Sequence, residues 1–320
     1  MKKIKFITVG LLIVCSLLFI SGCSNSQTSN EYIDLSLIVS ADGGEENKTV
    51  DVTVYYQDSN GYIVPVQTSI PWTEGIAKAV IRKMMNTSEL QKELVIMGLE
   101  SLMPPEAAIN GMDISDGLAK IDFKTDKLTF DSAKSEQNFV QGVVLALTSF
   151  PTVNRVQFMF NGHIINSLPT GTKVESPISA LDLNTVSQST KGEAVCVYYH
   201  ATSPTNFEYY VPVTVYVENA DCFSALEYLI GNTCSSLNSG IPEGTELVGI
   251  QTIGDTLCIF LNDSFNKLKD CSAAEEAAAI KSIALTCAAF DDSLRIKLYA
   301  GSHEYIPAEG IDTPSFANIY

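Results

Sequence analysis

The sequence predicts an α+β fold built twice in tandem, each copy being a mixed or mainly antiparallel sheet with two helices packed on one face. Two observations favour the tandem arrangement: an internal repeat, and a length of 320 residues, which exceeds one average domain. A third, the succession of strand-like and helix-like hydrophobic periods in each copy, favours the α+β class. With 46% hydrophobic residues, the chain can bury a core in both copies.

The repeat is clearest at two places. Residues 53–66 (TVYYQDSNGYIVPV) and 196–213 (CVYYHATSPTNFEYYVPV) both give Val-Tyr-Tyr, a turn, an aromatic residue and Val-Pro-Val. Residues 135–163 and 275–303 align without a gap, and most aligned positions keep their size and polarity. The same pattern in the same order indicates one fold used twice.

Strands are predicted where Val, Ile, Tyr and Thr alternate with polar residues. The first hairpin turns at Asn60-Gly61, and the second copy repeats it with a turn four residues longer. Pro65 and Pro212 lack an amide proton, which places their strands at an edge or turns the side without a hydrogen-bond partner outward. Expected strands cover residues 51–56, 62–69, 108–114, 118–123 and 153–160 in the first copy, and include 247–253, 256–261 and 294–300 in the second.

Helices are predicted where apolar residues recur at three- and four-residue spacing. They are expected over residues 72–86 and 135–149 in the first copy and over 222–231 in the second. An insertion of about a dozen residues in the first copy adds a further helix over 88–97. Val143 and Ile283 fall on equivalent positions of the apolar stripe of the long helices, so both are expected in the core.

The amino terminus has the layout of an export signal: three lysines followed by an apolar run over residues 6–20. The run is shorter than the roughly 20 residues that cross a bilayer, so an uncleaved anchor is disfavoured. Ile20-Ser21-Gly22-Cys23 resembles the bacterial lipobox, which implies that Cys23 is lipidated and becomes the first mature residue. The alternative is an ordinary cleavage site that leaves Cys23 free or disulfide-bonded.

The expected organisation follows from these features and from changes in composition. Residues 23–48 and 168–193 are rich in small polar residues, which is typical of connecting segments. The predicted segments are a signal peptide over 1–22, a flexible tether over 23–48, a first domain over 49–167, a linker over 168–193, a second domain over 194–310 and a tail over 311–320.

Charge limits the partners. The chain has 20 basic and 37 acidic residues, a net charge of −17. Such a surface repels phosphate backbones, so no nucleic-acid partner is expected. It also repels anionic lipid headgroups, and membrane attachment would therefore depend on the acyl chains at Cys23.

Six cysteines lie in the second copy and none in the first. The positions of Cys196, Cys258 and Cys287 within predicted strands and helices favour buried free thiols. An even number in an exported domain leaves one or two disulfides open, and a metal site is the remaining option, although no Cys-x-x-Cys spacing occurs. The six are Cys196, Cys222, Cys234, Cys258, Cys271 and Cys287.

No catalytic, cofactor or metal site is predicted, and the chain is not expected to be an enzyme. His163 and His303 align in the repeat, which indicates a structural role, and His200 has no evident partner. No serine-nucleophile elbow, zinc-protease motif or phosphate loop occurs. The acidic pair Glu275-Glu276 is interpreted as the start of a helix.

These features resemble the GerMN domain family of sporulation and spore germination. The resemblance rests on the order of elements, on Pro105-Glu106 and Pro242-Glu243 before a tight hairpin, and on the closing Phe160-Asn161-Gly162. It covers nearly all of the mature chain. The insertion in the first copy and the cysteines of the second depart from the family pattern, so no contact residue is carried over.

The resemblance implies a lipoprotein on the extracytoplasmic face of the cell membrane, between mother cell and forespore. There it would support assembly of an envelope channel complex, with envelope or channel proteins, or further copies of itself, as partners. The family is related to ring-building domains of secretion systems, which suggests an assembly surface. Alternatives are a solute-binding lipoprotein of a transporter and a cell-wall-associated enzyme accessory.

Overall fold

The structure is a computed structural model that describes residues 48–125, 128–186, 191–234, 236–311, 314 and 316–320. The predicted signal peptide, the lipidation site Cys23 and nearly all of the tether lie outside these residues. Among the described residues, no helix has the length and apolar character needed to cross a bilayer.

The two repeats have the same order of elements, apart from α2 in the first and a 3-10 helix in the second. The first repeat comprises β1 (Thr49–Gln57), β2 (Ile63–Pro71), α1 (Ile76–Met84), α2 (Ser88–Met97), β3 (Ala108–Ser115), β4 (Leu118–Lys124), α3 (Ala133–Thr148), β5 (Arg155–Phe160) and β6 (Ile178–Ser179). The second comprises β7 (Glu193–Thr202), β8 (Glu208–Val217), α4 (Cys222–Gly231), β9 (Leu247–Ile253), β10 (Thr256–Leu261), a 3-10 helix (Asp263–Asp270), α5 (Ala273–Ala288), β11 (Arg295–Ala300) and β12 (His303–Tyr305).

The α+β class and the tandem arrangement are confirmed, but each repeat contains two sheets instead of the expected one. The hairpins β1-β2 and β7-β8 stand alone, whereas the other strands form four-stranded sheets in the orders β3-β4-β5-β6 and β12-β11-β10-β9. Each larger sheet is mixed, because β4-β5 and β10-β11 are parallel and the remaining pairs are antiparallel.

The long helices explain the division into two sheets. Helix α3 contacts β1 of the hairpin and β5 of the larger sheet, so it is covered from both sides. Residues 282–287 of α5 are buried without interruption, which a helix with one apolar face could not achieve. In the first repeat α3 therefore lies between the hairpin and the larger sheet, and in the second repeat α4 contacts both β7 of the hairpin and β9 of the larger sheet.

Strand register confirms the internal repeat. Leu118 pairs with Arg155 in the first repeat, and Thr256 pairs in the same parallel way with Arg295 in the second. The aligned histidines also match, since His163 bridges to Phe160 and His303 to Ala300. Val143 and Ile283 are both buried, as expected from their alignment.

The predicted longer turn in the second hairpin is wrong. Both hairpins close with a loop of the same length, residues 58–62 and 203–207. In each, a residue with positive φ, Gly61 or Asn206, donates its N–H to the carbonyl three residues earlier. The additional residues instead lengthen β7 and β8 toward the turn.

Candidate functional site: the seam between the repeats

The two repeats meet along their hairpins, where β2 of the first contacts β8 of the second; we call this contact the seam. Each of these strands carries a proline, Pro65 or Pro212, which pairs within its own hairpin with Tyr55 or Tyr198. Because a proline has no amide proton, the facing strands cannot form an uninterrupted ladder there. Side chains from outside the hairpins make the connection instead.

Asn184 provides the first connection. Its amide nitrogen Nδ2 donates to the carbonyls of Ile63 and Pro212 at 2.7 and 2.8 Å, and its Oδ1 accepts the N–H of Ile63 at 2.8 Å. The side chain thereby bridges β2 and β8. Asn184 is buried and has a φ of 53°, a left-handed conformation that asparagine tolerates better than most residues.

Asn318 provides the second connection, with the roles of the hairpins reversed. Its Oδ1 accepts the N–H of Tyr210 at 2.7 Å, and its Nδ2 donates to the carbonyls of Tyr210 and Pro65, both at 2.8 Å. Tyr210 and Ile63 occupy equivalent places, each two residues before the proline of its strand. We call Asn184 and Asn318 together the clasp.

Each asparagine lies on a segment that crosses to the seam, and near its start each segment is hydrogen-bonded to a buried glutamate. On α3, Glu136 accepts the backbone N–H groups of Thr170 and Thr172 at 2.7 and 2.8 Å. Burial by itself raises the pKa of Glu136, but the hydrogen bonds from these two threonines outweigh it and leave the pKa below its ordinary value.

The aligned glutamate of the second repeat, Glu276 on α5, accepts the hydroxyl of Tyr305 and the N–H of Ala308. Both Glu275 and Glu276 lie in the first turn of α5, as expected of a helix start, and Glu275 forms a capping box with Ser272, whereas Glu276 has this second role. Glu276 is buried and holds the segment that leads to Asn318.

The crossing segments also pair with the strands of the opposite repeat. Thr214 of β8 donates its N–H to the carbonyl of Leu183 at 2.9 Å. On the other side, Gln67 of β2 donates to the carbonyl of Asn318 and accepts the N–H of Tyr320, at 2.8 and 2.9 Å. The repeats are thus joined by a reciprocal exchange of backbone and side-chain hydrogen bonds.

The hairpin turns add two further contacts. The hydroxyl of Tyr209 donates to the buried carboxylate of Asp58 at 2.9 Å. The hydroxyl of Thr205 donates to the carbonyl of Ile96 at 2.8 Å, so the inserted helix α2 touches the turn of the second hairpin. A Cβ atom on Gly98, which follows α2, would lie 2.5 Å from the Cβ of Ser203.

A cavity of about 400 Å³ opens on the seam. Equivalent residues of both hairpins line it, among them Tyr55 with Pro65 and Tyr198 with Pro212, and Asn318 closes part of its wall. Burial raises the pKa of Tyr55 to about 12 and that of Tyr198 further, so both phenols stay protonated at physiological pH. The cavity therefore combines aromatic surfaces and hydroxyl groups with the carboxylate of Asp182, a lining that suits a small polar ligand.

The six cysteines of the second repeat are all free thiols in the structure. Cys258 and Cys287 are buried as expected, together with Cys234, whereas Cys196 and Cys222 are half-buried. The expected burial of Cys196 is therefore only partial, and Cys271, for which no position in a strand or helix is predicted, is exposed. Within the described residues, no group of three His, Cys, Asp or Glu side chains could hold a metal ion.

The histidines are separate from the seam cavity. His163 and His303 are exposed. His200 lies within β7 and is half-buried, with its ring centroid 6.3 Å from that of Tyr210. Burial lowers the pKa of His200, and the nearby Glu208 carboxylate partly opposes this effect.

A family model supports this repeat architecture. The model described as "Germane: Sporulation and spore germination" matches residues 53–166 and 196–305. The chain belongs to the Germane family. The two matched segments coincide with the two repeats, so the family assignment covers both hairpins of the seam.

Known proteins agree with that assignment. The spore germination protein GerM of Bacillus subtilis (strain 168) is 28% identical over 207 residues, which cover 63% of this chain and 56% of that protein. This Germane-family chain thus spans little more than half of the length of that relative. The solved tandem GerMN domains of the sporulation protein GerM from Bacillus subtilis match with a TM-score of 0.64 at 24% identity, covering 85% of this chain and 99% of that one. That likeness shows the tandem fold.

Sequence reasoning did not identify the clasp or the buried glutamates as parts of one site. A signal was present, because Glu136 and Glu276 fall on each other in the ungapped alignment of the long helices. Beyond the aligned histidines, however, the segments that carry Asn184 and Asn318 differ in length and composition, and nothing local marks either asparagine as buried.

Proposed function

We propose that this Germane-family chain is a non-catalytic, lipid-anchored assembly factor for an envelope protein complex in sporulation or germination. It would act on the extracytoplasmic face of the cell membrane, between mother cell and forespore. The observation that carries the proposal is a pair of equivalent sheet edges, β3 and β9, each of which forms one of the two edges of its larger sheet. The clasp supports the proposal, because it joins the two repeats and so fixes the position of β3 relative to β9.

Strand β9 is the better docking edge. It contains no charged residue and no proline, and Val248 and Ile253 are 69% and 57% exposed. Natural proteins usually guard such an edge with charges or proline, and an unguarded one can accept a strand from a partner. The equivalent edge β3 carries Asp113 where β9 carries Gln251, so the second repeat is the expected site of contact.

Membrane attachment and the choice of partner rest on the sequence. Lipidation at Cys23 would hold the repeats near the bilayer through acyl chains, independently of protein charge. The net charge of −17 favours envelope proteins, or further copies of this chain, over nucleic acid. The absence of a recognisable catalytic motif supports a non-enzymatic role.

The test uses a deletion strain of the organism that carries this gene. We expect deletion to lower the yield of spores or their germination, and the wild-type gene to restore it. A Val248→Lys/Ile253→Lys variant should fail to restore it at an unchanged protein level, because two charges now guard β9. Ile306→Lys is the matched control, since Ile306 is 73% exposed and lies outside the strands.

Cys23→Ala tests the anchor in the same strain. We expect the variant to leave the membrane fraction, whereas the wild-type chain stays in it and carries acyl groups detectable by mass spectrometry. Normal sporulation and germination of the deletion strain would refute the assembly role. Retention of the Cys23→Ala variant in the membrane would refute the lipid anchor without affecting the role of β9.

A second candidate function is binding of a small solute for a transporter, which the seam cavity favours. The cavity lies between two lobes and is large enough for a small ligand. Isothermal titration with small polar solutes such as sugars and short peptides would separate the two candidates. Binding that is lost in Tyr198→Ala would favour the solute receptor.

A further inference from the structure

Two of the cysteines in the second repeat lie next to each other. Cys222 is the first residue of α4, and Cys287 lies in the last turn of α5. The two helices pack against one another, and the side chains of Cys222 and Cys287 interact across this contact. The pair is far apart in sequence, so only the fold brings the sulfur atoms together.

The other four thiols have different neighbours. The Sγ of Cys234 lies 3.5 Å from the hydroxyl of Tyr62 across the seam, and that of Cys271 lies 3.9 Å from a backbone carbonyl of its own 3-10 helix. Cys196 contacts Tyr198 within its hairpin, and Cys258 is buried in β10. The surroundings therefore distinguish Cys222 and Cys287 as a pair.

The two sulfur atoms differ in access. Cys222 is half-buried at the start of its helix, where an external reagent can reach it, whereas Cys287 is buried, with only 3% of its surface exposed. The interaction with Cys287 lowers the pKa of Cys222 although burial and the Asp221 carboxylate oppose it, and the same interaction, together with burial, raises the pKa of Cys287. Cys222 is thus suited to react first and Cys287 second.

We propose that Cys222 and Cys287 form a disulfide that ties α4 to α5. In the cell this step requires the export that the proposed function includes, because disulfides persist in oxidising compartments. The oxidant would be a disulfide, carried by an exported thiol oxidase or by a small molecule such as oxidised glutathione.

The chemistry balances as a thiol–disulfide exchange. The Cys222 thiolate attacks one sulfur of the oxidant, the sulfur–sulfur bond of the oxidant breaks, and the first thiolate leaves. Cys287 then loses its proton and attacks the Cys222 sulfur, which releases the second thiolate. Two protein thiols are oxidised to one disulfide, and the oxidant disulfide is reduced to two thiols that receive the two protons.

The bond would give the second repeat a covalent cross-link that the first repeat lacks. In the first repeat the position aligned with Cys287 is Leu147, which is fully buried and contributes apolar packing alone. A bond between residues 222 and 287 would close a long loop and restrict the unfolded chain. The oxidised second repeat should therefore unfold at a higher temperature than the reduced one.

The test uses the purified full-length chain, incubated with oxidised glutathione or with a reductant, denatured and alkylated. We expect oxidation to lower the intact mass by two hydrogen atoms and peptide mapping to join residues 222 and 287. Cys222→Ser should abolish this link, whereas Cys271→Ser, at an exposed thiol, should retain it. The thermal midpoint should fall on reduction in the wild type and in Cys271→Ser only.

Alkylation of both Cys222 and Cys287 after oxidation, or a link between another pair, would overturn the proposal. Mapping of the wild-type chain alone decides this, so the result stands even if Cys222→Ser does not fold. Because the oxidation is carried out on purified protein, its failure is separate from any failure of the proposed function in sporulation.

Discussion

Asn184 and Asn318 make the same set of hydrogen bonds in opposite directions across the seam. Asn184 binds both backbone groups of Ile63 and the carbonyl of Pro212, whereas Asn318 binds both backbone groups of Tyr210 and the carbonyl of Pro65. The arrangement has local two-fold symmetry although the two asparagines come from different kinds of segment, one between the repeats and one after them.

Replacing either asparagine should weaken the seam strongly. Asn184→Ala leaves three backbone groups without their partner, and each buried unpaired group costs roughly 1–3 kcal/mol. With partial relaxation, we expect the free energy of unfolding to fall by about 3 kcal/mol, and Asn318→Ala to have a similar effect. Urea unfolding followed by circular dichroism measures both losses.

The left-handed conformation of Asn184 requires a control. Asn184→Gly removes the same hydrogen bonds but relieves the backbone strain, so it should be less harmful than Asn184→Ala by about 1 kcal/mol. Asn206→Gly, at a turn residue with a φ of 61°, should be close to neutral. Equal stability of Asn184→Ala and the wild type would show that the clasp does not hold the seam.

Substitution of Glu136 should make the free energy of unfolding less dependent on pH in the acid range. The pKa of Glu136 is lower in the folded chain than in the unfolded chain. Its contribution to stability is therefore fully present above the pKa of the unfolded chain and is lost as the pH falls through the pKa of the folded chain. Glu136→Gln should cost about 2 kcal/mol at neutral pH, since an amide cannot replace the charged acceptor of two N–H groups. Its stability should then change less than that of the wild type below about pH 4.5.

Unfolding measured from pH 7 to pH 3 checks this expectation. Glu74→Gln is the matched control, because Glu74 is exposed and its carboxylate should be replaceable without loss. An acid profile of Glu136→Gln that parallels the wild type would mean that the carboxylate does not hold the linker.

The contact between Tyr209 and Asp58 should couple the two repeats. Tyr209→Phe removes a hydrogen bond to a buried carboxylate, which is worth roughly 1.5–3 kcal/mol. Asp58→Asn keeps the size of the side chain and changes its charge. A double-mutant cycle should give a coupling energy of about 1 kcal/mol or more, whereas additive effects would show that the two side chains do not interact in solution.

The sequence carried the information for individual elements but not for their partners. Helices α2 and α4 and strands β9 and β10 have the predicted bounds, because apolar periodicity and turn residues are local signals. Periodicity shows which side of a strand is buried and not which strand lies beside it. The division of each repeat into two sheets therefore could not be predicted.

The seam was harder to predict for the same reason. Asn184 lies in a polar stretch that was expected to be a linker, and Asn318 in a short tail, yet both are buried. Their partners are distant in the chain, and asparagine is ordinarily a surface residue. The strands β6 and β12 were missed as well, because two or three residues are too few to show a period.

Gly98 tests whether the inserted helix α2 belongs to the seam. Gly98 has a φ of 66°, and an added Cβ would lie 2.5 Å from the Cβ of Ser203 in the opposite repeat. Gly98→Ala should therefore cost more than backbone strain alone, about 2 kcal/mol or more. Gly75→Ala is the matched control, because Gly75 has a φ of 78° and a Cβ added there would meet nothing within 4 Å. It should cost about 1 kcal/mol, and equal losses would place α2 outside the seam.

His200 should make the second repeat sensitive to mild acid. Burial lowers the pKa of its imidazole, and the groups that face it are the ring of Tyr210 and the carboxylate of Glu208, with the Lys281 ammonium 4.3 Å from the centroid of the same ring. Because the unfolded chain binds the proton more readily, stability is complete above about pH 6.5 and falls as pH drops toward the folded value. His200→Asn should reduce this loss between pH 7.5 and pH 5.5 in urea unfolding, whereas His163→Asn, at an exposed histidine, should leave it unchanged. The opposite result would be a wild-type stability that rises as the pH is lowered from 7.5 to 5.5, with no fall in either variant. It would show that the Glu208 carboxylate, and not burial, controls the pKa of the imidazole.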